Sequence, residues 1–263
     1  MRPRQERHNP LAMPDPFLIA QLSDPHIGAD WIAPDPATLL SAAVAAVGRC
    51  GPDVVIVSGD LVENAADAEY EQIQGALEPL DVPVHVLPGN HDDRDGLHRH
   101  FGVPGAGGEP VQYSVELGPL RLVVVDSTAP GHEHGELDSE RLGWLEGELA
   151  AAPERPTLVA MHHPPLCTGA PAIDAIALRA DGRRALGEVL ERHPQVLKVI
   201  AGHVHRTVGS EIGGRPVLAI PSTYAELCLD FEAPELRTID DGRGYALHAV
   251  VDGTLVSHVE NLP

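Results

Sequence analysis

Cysteine is scarce in this chain of 263 residues: Cys50, Cys167 and Cys228 are odd in number and widely scattered. They offer neither a disulfide framework nor a paired CxxC zinc site, and a reducing compartment, the cytoplasm, is the expected location. Basic residues are also few, 18 against 39 acidic ones, for a formal charge of −21. Such a surface repels nucleic-acid polymers and anionic membranes, so neither is expected as a partner, and any phosphate handled by the chain needs a local positive centre. No apolar stretch is long and uncharged enough to cross a bilayer. The first 16 residues are basic and proline-rich, and FLIAQLSDPH, which follows, turns polar too soon for a signal segment. Residues 1–16 are expected to be a disordered leader, and 17–263 one domain.

What the chain does contain is an alternating pattern. Hydrophobic residues make up 43% of it, enough at this length for a full core. Residues 17–22, 54–57 and 84–87 are short β-branched-rich runs, each followed by a polar loop and a helix-like stretch, which reads as βαβαβ. The first helix starts at Asp35-Pro36, a cap followed by proline, and repeats Leu39, Leu40, Ala43, Val44 and Val47 at helical spacing. Strands are predicted over 112–116, 120–125, 157–161 and 196–200, with helices over 138–150 and 183–192. Gly213-Gly214 and Asp252-Gly253 mark two hairpins. Continuous apolar strands suggest burial on both faces, so helices are expected on both sides of an α/β sheet system. Between the hairpins, 221–243 lacks periodicity and reads as a loop or an interface arm.

Polar residues gather at strand ends: Asp24-Pro-His26, Asp60, Asn90-His91-Asp92, His162-His163 and His203-Val-His205. In an open α/β sheet these carboxyl ends share an edge, so the groups converge across long sequence separations. Their oxygen and imidazole donors, with no thiolate, suit iron, manganese or zinc. Asp-x-His and His-x-His are expected to present alternate residues on one side of an extended segment. Glycine precedes Asp60, Asn90 and His203; each is either a close approach to a metal cluster or ordinary strand-to-loop punctuation.

The ordered blocks Asp24-x-His26, Gly59-Asp60, GNHDDR from Gly89, MHHPP around His162 and AGHVHR through His205 resemble the calcineurin-like metallophosphoesterase superfamily, in particular the branch of class III cyclic nucleotide phosphodiesterases and a glycerophosphodiesterase. The resemblance covers about 17–220 and implies a four-layer αββα sandwich with two metals, divalent or mixed-valence, at the sheet edge. It implies that Asp24, His26 and His205 hold one metal, Asn90, His162 and His203 the other, and that Asp60 bridges them. It further implies attack of a metal-bound hydroxide on a small phosphodiester, with His91 binding a phosphate oxygen or donating a proton to the leaving group. Asp92 is expected behind His91 or His26.

Other histidines are weaker candidates. His163 is expected to support the site rather than ligate, His98 and His100 to lie on a helix surface, and His132 and His134 to be solvated. Cys167, Thr168 and Asp174 either line a substrate pocket or belong to a loop. A phosphomonoesterase or protein phosphatase of the same fold is the alternative activity, and a catalytically silent phosphate or metal sensor the alternative of another class. Tyr224, Leu227, Leu229 and Phe231 form an apolar cluster that caps the site, packs in the core or joins two subunits. Relatives in this branch associate through C-terminal elements, so a homo-oligomer, most simply a dimer through 221–263, is expected.

Overall fold

Alternation along short apolar runs decides the architecture. In the computed structural model, which describes residues 16–262, the first half of the chain forms β1 (Phe17–Leu22), α1 (Pro36–Cys50), β2 (Val54–Val57), α2 (Asp67–Leu77), β3 (Val84–Val86) and α3 (Arg94–Phe101). The second half forms β4 (Tyr113–Leu117), β5 (Leu120–Val124), α4 (Ser139–Ala151), β6 (Thr157–Ala160), α5 (Pro171–Ile176), α6 (Ala180–Glu191), β7 (Val196–Ala201), β8 (Val208–Ile212) and β9 (Arg215–Ala219). The tail adds β10 (Glu226–Leu227), β11 (Thr238–Ile239), β12 (Gly244–Val251) and β13 (Thr254–Asn261). The leader expected over 1–16 lies outside the described residues apart from Pro16.

Two sheets result, in the orders β13-β12-β1-β2-β3 and β4-β5-β6-β7-β9-β8. Strands β1 to β3 run parallel, as do β5, β6, β7 and β9, while the flanking strands are antiparallel. Because successive strand residues point to opposite faces, each apolar run feeds two cores. Ile19, Val54 and Ile56 pack between the sheets against Leu122, Val124, Leu158 and Ala160. Their neighbours Ala20, Leu22, Val55 and Val57 pack outward against α1, α2 and α3. On the other side Val123, Val159 and Val199 meet Leu145 and Leu149 of α4 and Leu186 and Leu190 of α6. The arrangement is the four-layer αββα sandwich.

Local signals hold where the chemistry is local. The Asp35 side chain accepts from Ala37 N and Thr38 N, Pro36 opens α1, and Gly51 closes it at φ 64°. Both expected hairpins form, β8–β9 and β12–β13. The segment 221–243 contains the short ribbon β10–β11; within it Tyr224 and Leu227 are buried while Leu229 and Phe231 are exposed. No helix among the described residues is long and apolar enough to cross a membrane.

A buried polar seam accompanies the apolar layer between the sheets. His248 of β12 is fully buried; its Nε2–H donates to Gln21 Oε1 at 3.0 Å and its Nδ1 accepts from Ser257 Oγ at 2.8 Å. Gln21 Nε2 in turn donates to Ser58 Oγ and, across to the second sheet, to Ala201 O. Burial, with Lys198 and His258 nearby, lowers the His248 pKa to about 3. Since the folded value lies below the ordinary 6.5, the unfolded chain takes up the extra proton first as pH falls. The stabilisation is therefore complete above about 6.5 and is lost progressively toward about 3. At pH 5 the loss is about 2 kcal/mol. His248→Gln is expected to reduce the drop in urea-unfolding free energy between pH 7 and pH 5 by about that amount; an unchanged drop removes His248 from the acid response.

Candidate metal centre

The functional side chains sit one to a few residues beyond the carboxyl ends of β1, β2, β3, β6 and β7. They do not continue those strands, as the Asp-x-His and His-x-His spacing suggested. Asp24, His26, Asp60, His203 and His205 all adopt left-handed backbone, with φ of 51°, 46°, 48°, 68° and 49°. Such residues are uncommon outside glycine, and these are five of the seven non-glycine examples among the described residues. Each turn curls its side chain toward the same edge, at a strain of about 1–3 kcal/mol per residue. Backbone bonds hold the turns in register: Asp24 N donates to Gly59 O and His26 N to Asp60 O. His203 N donates to both oxygens of Asp24, and Ser222 Oγ to Asp24 O.

All three glycines that precede Asp60, Asn90 and His203 are there for close approach: a Cβ on Gly89 would stand 2.1 Å from Asp60 Oδ1. A Cβ on Gly59, at φ 93°, would stand 2.3 Å from His162 Nδ1. One on Gly202 would stand 1.9 Å from Ser23 Oγ and 2.6 Å from Asp24 Oδ2. No side chain fits at any of the three places, so strand-to-loop punctuation does not account for them.

All seven residues expected as ligands come together. His26 Nε2 faces His205 Nε2 at 3.2 Å, and His203 Nδ1 faces His162 Nε2 at 3.2 Å. Asp60 Oδ2 lies 3.2 Å from His162 Nε2 and 3.6 Å from His26 Nε2, and Asp24 Oδ1 lies 3.5 Å from His205 Nε2. The outer nitrogen of every one of these imidazoles is already used. His26 Nδ1–H donates to Glu63 Oε2, His162 Nδ1–H to Ser58 O, His205 Nδ1–H to Ala225 O and His203 Nε2–H to Ile176 O, all at 2.8–2.9 Å. Those acceptors fix the tautomers and turn a lone pair of each ring inward, the arrangement of metal-binding histidines. Asn90 Oδ1 is buried and has no hydrogen-bond partner among the described residues. Donors about 2.1 Å from a shared cation stand about 3.0 Å apart at right angles and about 3.4 Å apart at the tetrahedral angle. Inward lone pairs at these separations, two carboxylates and an orphaned amide oxygen fit divalent cations.

Without a cation the charges settle on one another. Burial pushes His162 down, but the Asp60 charge and its hydrogen bond, with Asp24 beyond, lift it to about 9. Burial and the neighbouring His162 charge lower His203 to about 3. Burial pushes Asp60 up, and the charges of His162, His26 and His91 hold it well below the usual carboxylate range.

His91, part-exposed and lining the same cleft, has its Nδ1–H on Glu63 O at 3.1 Å and 3.5 Å from Glu63 Oε2. Its backbone N–H holds Asp60 Oδ1 at 2.9 Å. Burial lowers the His91 pKa and the charges of Asp60 and Glu63 raise it further than that. Glu63 therefore carries the role expected of Asp92, since it supports both His26 and His91. The sequence reading missed it because an acid three residues past Asp60 looks like any solvated carboxylate. Asp92 touches neither imidazole: its Oδ2 accepts from Gly89 N and Leu61 N and ties two turns together.

The remaining candidates separate cleanly. His163 lies within ligating distance of His162 and His203, but its Nε2–H donates to Glu133 O and its Nδ1 pairs with Ser127 Oγ, which makes it a prop. His98 and His100 lie on α3, bonded to Val103 O and Asp67. His134 pairs with Glu136, and neither it nor His132 lines the cleft at the centre. Cys167, Thr168 and Asp174 do not line it either; the Asp174 carboxylate ties its own loop through Thr168 and Gly169. The cleft, of about 320 Å³, also takes in Trp31, Ile176, Leu227 and Leu236.

The calcineurin-like phosphoesterase family model matches residues 17–207. The chain is 33% identical over 257 residues to a probable cyclic nucleotide phosphodiesterase of Rhodococcus erythropolis, covering 94% of this chain and 83% of that one. It is 34% identical over 217 residues to the 3',5'-cyclic adenosine monophosphate phosphodiesterase CpdA of Escherichia coli, covering 80% and 74%. To a probable glycerophosphodiester phosphodiesterase GpdQ of Arcobacter nitrofigilis it is 36% identical over 181 residues, covering 68% of this chain and 66% of that one. A dimetal phosphatase from Danio rerio shares the fold with a TM-score of 0.71 at 18% identity, covering 94% and 97%. The chain belongs to the calcineurin-like phosphoesterase family and is a hydrolase of the metallophosphoesterase type.

Proposed function

We propose that the protein is a dinuclear metal-dependent phosphodiesterase acting on a small phosphodiester, a cyclic nucleotide or a glycerophosphodiester. One observation carries the dinuclear reading: Asp60 Oδ2 lies between His26, which groups with Asp24 and His205, and His162, which faces His203. On this reading Asp24, His26 and His205 hold one cation, Asn90, His162 and His203 the other, and Asp60 both, with iron, manganese or zinc suited to the donors. When bound, two such ions supply charge neutralisation on the phosphoryl oxygens and a lowered pKa for the attacking water. The relatives' names support phosphodiesters over monoesters, and the cleft volume of about 320 Å³ suits a small ester.

The chain's own residues do the rest. His91 beside the cleft is the proton donor. Water adds oxygen to phosphorus and gives up a proton to solvent, one ester P–O bond breaks, and the departing oxygen takes the imidazolium proton, leaving a phosphate monoester and an alcohol; His91 then regains a proton from solvent. Against its burial, the charges of Asp60 and Glu63 favour the protonated His91, and Glu63 O holds its ring.

The protein stripped of metal and reconstituted with manganese is expected to hydrolyse bis(p-nitrophenyl) phosphate faster than p-nitrophenyl phosphate, and only with metal. Asp60→Ala and Asn90→Ala are expected to bring the rate near background without loss of folding. Faster monoester turnover would favour the phosphomonoesterase, and metal binding with neither activity the sensor.

Gly202→Ala is expected to lower manganese affinity about ten- to hundredfold in calorimetric titration, whereas Gly209→Ala, whose Cβ meets nothing within 4 Å, leaves it unchanged. His91→Ala should reduce kcat about 10²–10⁴-fold for an alkyl diester and much less for bis(p-nitrophenyl) phosphate, whose leaving group needs no proton. Equal losses on the two esters exclude the proton-donor role.

A further inference from the structure

The cleft above the donor cluster has a polar floor and a rim on which Trp31 and Leu236 stand beside Glu133 and Thr238. Asp60, His26, His203 and His205 at its base are almost completely buried, whereas Trp31 and Leu236 at its margin are 38% and 39% exposed. They are two of only five large hydrophobic side chains exposed among the described residues. The chain has two tryptophans; Trp144 packs on the outer face of the second sheet, and the other stands half in water beside the metal donors. Leaving an indole there is unfavourable unless something covers it.

Its position is held from outside. The Trp31 ring lies 4.5 Å from the His26 ring and 6.2 Å from that of His205, inclined to the latter by 23°. Behind it, 5.5 Å away, is the fully buried Tyr224. The Tyr224 hydroxyl accepts from Ile32 N at 3.1 Å and donates to Ile32 O at 3.3 Å, so the residue next to Trp31 is clamped on both its backbone groups. Tyr224 is anchored in turn by its own N–H on Ser222 Oγ, whose hydroxyl donates to Asp24 O. The indole and a proposed ligand are thus fixed to the same serine, and the platform is organised before any substrate arrives.

Resting on the phosphodiesterase reading above, we propose that Trp31 is a stacking wall for a planar base, which makes the substrate of this site a nucleoside phosphodiester rather than a glycerophosphodiester. With the phosphoryl group on the floor among the Asp and His donors, a substituent must leave through the rim beside Trp31, Ile176, Leu227 and Leu236. A purine or pyrimidine presents a flat π-face to the indole there and displaces water from it. Glycerol has no such face and gains nothing from the same wall. Base–aromatic stacking distinguishes the two by about ten- to hundredfold in affinity.

Two ligands that share a phosphate and differ in the substituent test this: adenosine 5'-monophosphate and glycerol 3-phosphate. The manganese-loaded protein carrying Trp144→Phe, so that Trp31 is the only indole, is titrated with each by calorimetry and by indole fluorescence. The nucleotide is expected to bind about ten- to hundredfold tighter and to quench the fluorescence, with glycerol 3-phosphate doing neither. Trp31→Ala should bring the affinity ratio to within about threefold, and Trp31→Phe should keep most of it. Equal binding of the two ligands, or a ratio that survives Trp31→Ala, overturns the stacking role. If the protein turns over a diester while binding both ligands alike, only the stacking proposal fails. If it binds neither ligand and hydrolyses no diester, the phosphodiesterase reading fails with it.

Discussion

Five tight turns force two carboxylates, four imidazoles and an amide oxygen into one small volume, and the electrostatic consequence of that crowding governs the rest of the site. Facing ring nitrogens 3.2 Å apart repel through their lone pairs unless a proton or a cation lies between them. A proton is the weaker remedy: against burial, the Asp60 charge lifts His162 to about 9, while burial, and after it the His162 charge, lowers His203 to about 3. A divalent cation satisfies several lone pairs together and inverts that local logic. The carbonyls of Ser58, Ala225 and Ile176 and the Glu63 carboxylate occupy the outer nitrogens. No tautomeric escape remains: the outer nitrogens keep their protons, and the inward nitrogens are left to share a proton or a cation.

The sandwich is what tolerates such a cluster. Left-handed backbone at Asp24, His26, Asp60, His203 and His205 is unfavourable at each position and stays only because the strands beneath are buried on both faces. The inter-sheet layer built from Ile19, Ile56, Leu122 and Leu158 brings the parallel strands of both sheets to a common edge. The polar seam reinforces this near the site, since Gln21 bonds across to Ala201 O and Ser58 Oγ donates to Ser23 Oγ, which donates to Asp24. A network of this kind is rigid when every member is paired. It carries the positions of β12 and β1 into the orientation of a single carboxylate.

The acidic surface and the site answer each other. A formal charge of −21 would drive phosphate away, and the donors that gather at the edge are built to accept cations that reverse the sign locally. Above them Trp31 and Leu236 add apolar surface within the same cleft, so charge holds one part of a ligand and shape and stacking address another.

Some of this is written locally. The cap at Asp35-Pro36, the Leu39 to Val47 stripe and the glycine hairpins are short-range chemistry, and the structure places them as expected. The candidate donors were legible as a group because they concentrate in five short blocks at the ends of apolar runs, and their types are those that suit a metal. The turn geometry was not, because left-handed conformation at aspartate and histidine is imposed by long-range bonds such as His203 N to Asp24 and Asp24 N to Gly59 O. Glu63 carries no local mark, since its importance comes from His26 and His91 meeting it from two other strands. Trp31 sits in an aperiodic loop, and it becomes a wall only because Tyr224, far along the chain, clamps its neighbour. By itself the sequence determined which groups are present and which strand each one ends. Tertiary structure alone decided which lone pairs face inward, which acid supports them and what stands over them, because those are properties of pairs brought together by two sheets and not of any segment within them.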